Sequence, residues 1–160
     1  MLMLVLRFTH IFFAALWVGM MAFQTFYLMP ALGEAGPDAG KLMAALMRRR
    51  IPAVMLIVAI LALVSGMWLF QRLSGGNFAA LMATPMGKGF AFGGAAALVA
   101  FLLGIFVTRP AMMKSMQLAQ TQGPTAPEVV RLRVRAVVMG RVVAILLLLA
   151  LGAMAVARYV

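Results

Sequence analysis

The sequence predicts an all-α, polytopic membrane protein, a bundle of four transmembrane helices with both termini outside. Three observations carry that expectation. Hydrophobic residues make up 66% of the 160-residue chain and charged residues 11%, far from the balance of a water-soluble domain. Four apolar runs reach the roughly 20 residues that a helix needs to cross a bilayer core about 30 Å thick. The basic residues divide unequally between the two ends of those runs, which selects an orientation. The whole chain, residues 1–160, reads as one transmembrane domain.

The first span runs from about Met3 to Met29 and is expected to end at Pro30. Its apolar run is too long for the core of a signal peptide, so a retained first helix is expected. A loop, PALGEAGPDAG, and a short amphipathic piece, KLMAALMRRR, lead to the second span, residues 51–70. Pro52 falls in the first turn of that span, where its missing N–H does little harm. The connector QRLSGGNFAALMATPMGK carries Gly75, Gly76 and Pro85 as breakers. The third span covers residues 89–108. A polar connector, RPAMMKSMQLAQTQGPTAPEVVRLRVR, then leads to the fourth span at about 136–157. Gly89, Gly93 and Ala97 recur every four residues in span three, as do Ala15 and Gly19 in span one. Such small residues let helix backbones approach closely in lipid.

Arg7, Arg72, Lys88 and Arg158 lie on one side of the predicted membrane. The other ten basic residues, among them the triplet Arg48, Arg49, Arg50 and the cluster Arg131, Arg133, Arg135, lie on the opposite side. The positive-inside rule places the ten in the cytoplasm and both termini outside, in the periplasm for a Gram-negative inner (plasma) membrane. The net charge of +11 needs no nucleic-acid partner, because topology and anionic headgroups account for it. With no cysteine, disulfides and thiolate chemistry are excluded. Only Glu34, Asp38 and Glu128 are acidic, all outside the spans, which argues against proton pumping through buried carboxylates. No paired carboxylates, Ser-His-Asp set or phosphate-binding loop is present, so any catalysis has to come from a cofactor.

His10 is the only histidine. Helical periodicity sets Met3, Arg7, His10, Ala14, Trp17, Met21 and Gln24 on one stripe, with Phe12, Leu16 and Phe23 on the lipid-tolerant face. An ionisable group inside a span faces the bundle interior or a watery cavity, so His10 is expected to point inward near the outer surface. Arg7, Arg72, Lys88 and Arg158 would form a basic rim around it, with no carboxylate at that level. Such a site suits an anion, or a cofactor with anionic edges. Haem b fits: His10 as axial ligand, Met67 or Met154 as the second, the four cations meeting the propionates, and Gly93 and Gly94 leaving room for the flat ring. Trp17 lies on the same stripe as a further cofactor contact. The competing structural account is a histidine hydrogen-bonded across helices that only stabilises the bundle.

Methionine is the second anomaly, at 16 residues. Soft thioethers favour Cu(I), and a methionine-lined copper path gains support if Met20, Met21, Met67 and Met154 converge. The tightest cluster, Met112, Met113 and Met116, falls instead on the predicted cytoplasmic side. Scattered methionines also serve as flexible core filler. Arg141 lies one to two turns inside span four at the depth of Gln24, Thr25 and Tyr27. It is either a snorkelling arginine or a second anion contact.

The stretch LRFTHIFFAALWVGMMAF, with its His, Trp-x-Gly and closing Pro30, resembles the first helix of the copper-resistance D (CopD-like) membrane domain. RRRIPAVMLIVAILALVSGMW is similar to the following helix, with Ser65-Gly66 as its Thr/Ser-Gly pair, and TPMGKGF and AMAVARYV also look like pieces of such proteins. The group is distantly similar to HemJ-type haem membrane proteins in having a first-helix histidine as proposed iron ligand. The second histidine of the HemJ pattern is missing here. The resemblance implies haem binding for electron transfer or haem-linked redox chemistry. The alternatives are Cu(I) transport, or a non-catalytic membrane subunit that works in a homo-oligomer or a larger membrane complex.

Overall fold

Backbone polar groups in lipid must be bonded within their own segment, which leaves a helix as the simplest way to cross. The computed structural model describes residues 1–36 and 39–159, all helix and turn with no strand among them. Pro37, Asp38 and Val160 lie outside the described residues. Four helical stretches are long and apolar enough to span a membrane: Leu2–Glu34, Ile51–Ser74, Pro85–Gln122 and Pro127–Val156.

The first stretch comprises α1 (Leu2–Phe23), a π-helical segment π1 (Gln24–Leu28) and α2 (Met29–Glu34). The helix therefore continues past Pro30 instead of ending there. The Met29 N–H reaches back five residues to the Gln24 carbonyl. The wider turn accommodates a proline ring that would otherwise clash with the preceding turn and leave a carbonyl unbonded. After α3 (Ala39–Arg48), α4 (Ile51–Ser74) follows its N-cap Arg50, the only described non-glycine residue at positive φ, +55°. Gly75 and Gly76, at φ +55° and +89°, stop α4, and Asn77 caps the short α5 (Phe78–Ala83).

Thr84 caps α6 (Pro85–Leu103) by accepting from the Gly87 N–H at 3.0 Å. Pro85 thus starts a helix, four residues before the predicted span. A second π-helical segment, π2 (Gly104–Thr108), follows, and the Arg109 N–H bonds to the Gly104 carbonyl. Then comes α7 (Arg109–Gln122), with Pro110 in its first turn. The predicted polar connector is accordingly almost all helix: α7, a turn at Gly123, and the first turns of α8 (Pro127–Val156). Buried Ser115 and Val129, with an ion pair between Lys114 and Glu128 at 3.1 Å, hold α7 against α8.

The most extensive helix pairs are α1 with α4 and α6 with α8, and lesser contacts of α1 with α8 and α4 with α6 close the ring. Small residues make the α6–α8 pair close. A Cβ on Gly89 would meet Ala157 Cβ at 2.8 Å, and one on Gly93 would meet the Ala150 carbonyl at 3.0 Å. The core is Trp17, Val18 and Met21 from α1, Val58, Ala59 and Ala62 from α4, Ala100 from α6, and Val143 and Leu147 from α8. The bundle has a terminal end, carrying Met1 and Tyr159, and a basic end, carrying α3, α7 and the arginine triplet.

Candidate functional site

His10 sits on α1 against α4, near the terminal end. Its Nδ1 lies 2.9 Å from the Ala62 carbonyl oxygen, which can only accept, so Nδ1 carries the hydrogen. In the neutral ring that leaves the lone pair on Nε2. The sequence of α4 is fitted to this contact. Gly66 leaves space for the imidazole: a Cβ there would stand 2.7 Å from His10 Cε1. Ser65 next to it turns its hydroxyl back toward the Leu61 and Ala62 carbonyls, at 2.6 and 3.1 Å, and so donates its one hydrogen within its own helix.

The other predicted site residues divide into two groups. Arg7, Arg72, Lys88 and Arg158 are all exposed at the terminal end, and none is in an ion pair among the described residues. Lys88 and Arg158 adjoin Gly89 and Ala157, which touch. Trp17 lies seven residues below His10, or about 10 Å along the helix. It is 6% exposed and meets Phe101 of α6 edge-on at 6.3 Å. The structure therefore brings Trp17 to the middle of the bundle and not to the imidazole. Gly93, eight residues above Phe101, is at the level of His10, but the space beside it holds the Met154 side chain and the Ala150 carbonyl. Of this glycine pair, Gly94 alone has open space where a Cβ would stand. Met154 is half-buried at this level, whereas Met67 is 68% exposed on the outside of α4. A haem iron would thus find one oriented imidazole and one thioether level with it; the ring would not find its room at Gly93.

A cavity of about 390 Å³ opens in the other half of the bundle, below Trp17. Eight of the sixteen methionines line it: Met21, Met29, Met43, Met47 and Met55, then Met112, Met113 and Met116 of α7. Both π-helical segments border it, through Gln24, Thr25 and Leu28 of π1 and Gly104, Ile105 and Thr108 of π2. The Thr108 hydroxyl is buried without a hydrogen-bond partner. Arg50 and Arg109 are the charged lining residues, with no carboxylate. Of the four methionines whose convergence would favour a copper path, Met21 lines this cavity while Met20, Met67 and Met154 do not. Arg141 is exposed and outside the cavity, and Tyr27 points away at 70% exposure.

No group of three His, Asp or Glu side chains is placed to hold a metal among the described residues. No protein-family model, curated protein or solved structure matches the chain. The cavity was not foreseen from the sequence, although two of its signals are there. They are the Met112, Met113, Met116 cluster and the pair of x-Pro steps, Met29-Pro30 and Arg109-Pro110, each closing a long apolar run.

Proposed function

We propose that this is a CopD-like integral membrane protein of the inner membrane. Its termini face the periplasm, and it binds one haem b at the terminal end for electron transfer or haem-linked redox chemistry. The observation that carries the proposal is the His10 to Ala62 bond. A backbone carbonyl on one imidazole nitrogen is the usual arrangement by which a protein fixes the tautomer and direction of a ligating histidine. His10 would hold the iron and Met154 supplies the candidate second ligand; Arg7, Arg72, Lys88 and Arg158 supply positive charge for propionates. When bound, the haem supplies one-electron exchange. The protein's own contribution is to orient the ring nitrogen through Ala62 and Gly66 and to concentrate positive charge at that end.

The test is an absorption spectrum of the protein purified from haem-replete cells. A Soret band that is lost in His10→Ala supports the proposal. Absence of the band, or its persistence in that variant, defeats it.

The gathering of eight methionines favours Cu(I) as a second reading, because thioethers are soft donors. Its electrostatics run the other way, since a cation entering the cavity meets Arg50 and Arg109 and no compensating carboxylate. Copper analysis of the purified protein tests it directly.

A further inference from the structure

We propose that the methionine-lined cavity binds a single-chain amphipathic anion of the fatty-acid class. Its carboxylate would sit between Arg50 and Arg109, and its apolar tail would run toward Trp17. This site is separate from His10 and independent of the haem proposal.

The cavity has the composition of a small-molecule site, mostly apolar with a few polar groups. Its volume of about 390 Å³ is near the lower end of the range for such sites. That suits one acyl chain and not the two chains of a phospholipid. Thioether side chains adapt to a flexible tail without a fixed shape. The polar groups lie toward the basic end: Arg50 at the α3–α4 turn, Arg109 at the start of α7, and Thr108 just before it. Neither arginine is in an ion pair among the described residues. A carboxylate accepting from two guanidinium groups also offers an acceptor to the Thr108 hydroxyl, which otherwise has no partner. Arg50 is held in the left-handed region, unfavourable for a side chain of its size, at the cavity's edge. The two π-helical segments widen α1 and α6 at the same depth, as π-bulges do at binding sites. The cover is α3. None of its residues is fully buried, and Met43, Leu46 and Met47 face the cavity. A membrane-dissolved acid can enter beneath it from the surface.

The experiment uses Trp17 as the reporter, because it lines the cavity. The full-length protein carrying Trp68→Phe, which removes the other tryptophan, is placed in phosphatidylcholine nanodiscs and titrated with dibromostearate. Bromine quenches a tryptophan it touches. The expected result is saturable quenching that oleate competes away and that His10→Ala leaves intact. The Arg50→Gln/Arg109→Gln variant should raise the apparent Kd about tenfold or more, and the uncharged methyl ester should bind weaker by a similar factor. Thr108→Val keeps the side-chain shape, should weaken binding about threefold, and serves as the test if the double arginine variant fails to fold. Quenching that rises linearly without saturation, or an unchanged Kd in both variants, overturns the proposal. So does saturable quenching by a brominated anionic phospholipid but not by dibromostearate, which would identify a lipid headgroup site.

Discussion

Gly66 is where a single hydrogen atom decides a packing contact. A methyl group there would stand 2.7 Å from His10 Cε1 and 3.0 Å from Nδ1, and the imidazole cannot yield without losing its bond to Ala62. We expect Gly66→Ala to destabilise the protein by about 1–3 kcal/mol, the usual cost of overpacking. Gly94→Ala, with no atom within 4 Å of its Cβ position, should be neutral or gain up to about 1 kcal/mol from helix propensity. Unfolding of the two variants in mild detergent separates them, and equal stabilities would refute this account of Gly66. Removing the imidazole is a milder change. His10→Ala should cost about 0.6 kcal/mol, the average for a hydrogen bond between membrane helices. A much larger loss in the same melt, measured on haem-free protein, would mean that His10 contributes more to packing than this one hydrogen bond. At this scale the sequence was informative, since periodicity alone set His10, Trp17 and Gln24 on one inward stripe. What it could not supply was the partner. Ala62 offers only a backbone carbonyl, a group that every residue has, so nothing in its identity marks it.

At the scale of elements, the two π-helical segments follow one plan. Each is five residues long, in each the carbonyl of the first residue accepts from the N–H five residues on, and each is followed two residues later by proline. The sequence predicts helix ends at Pro30 and at Thr108, because proline normally breaks the hydrogen-bond ladder at its own position. The break is instead absorbed by a wider turn, and both π1 and π2 pack against α8. The long α7 was missed for a related reason. Its polarity suggested a connector, yet Ala111 and Ser115 are buried against α8. If proline maintains π2, Pro110→Ala should let the segment revert toward a regular helix. The variant would then gain up to about 3 kcal/mol of stability, show slower amide exchange over residues 104–109, and bind dibromostearate more weakly as the cavity narrows. Unchanged exchange there would show that the helix is widened by the surrounding packing and not by its proline.

Taken as a whole, the molecule repeats itself. A long helix broken by a π-helical segment and proline, followed by a second span, occurs twice, and α1 pairs with α4 as α6 pairs with α8. Little in the sequence signals this, since the repeated feature is a backbone geometry and the side chains around it differ. The repeat runs both long helices in the same direction and puts both prolines at the basic end. There Pro85–Gln122, at 38 residues and about 57 Å long, greatly exceeds a bilayer core of about 30 Å. The excess, with the Lys114–Glu128 pair and the clustered arginines, would stand in water on the side that the positive-inside rule assigns to the cytoplasm. Because the chain has no cysteine, single-cysteine variants report orientation without background. Tyr159→Cys at the terminal end should react with a membrane-impermeant maleimide in intact cells. Gln122→Cys, exposed at the tip of α7, should react only after the membrane is opened. The reverse pattern would invert the orientation, putting the basic rim near His10 in the cytoplasm and the fatty-acid cavity on the outside. Labelling of both from outside would mean that one of the four helices does not cross.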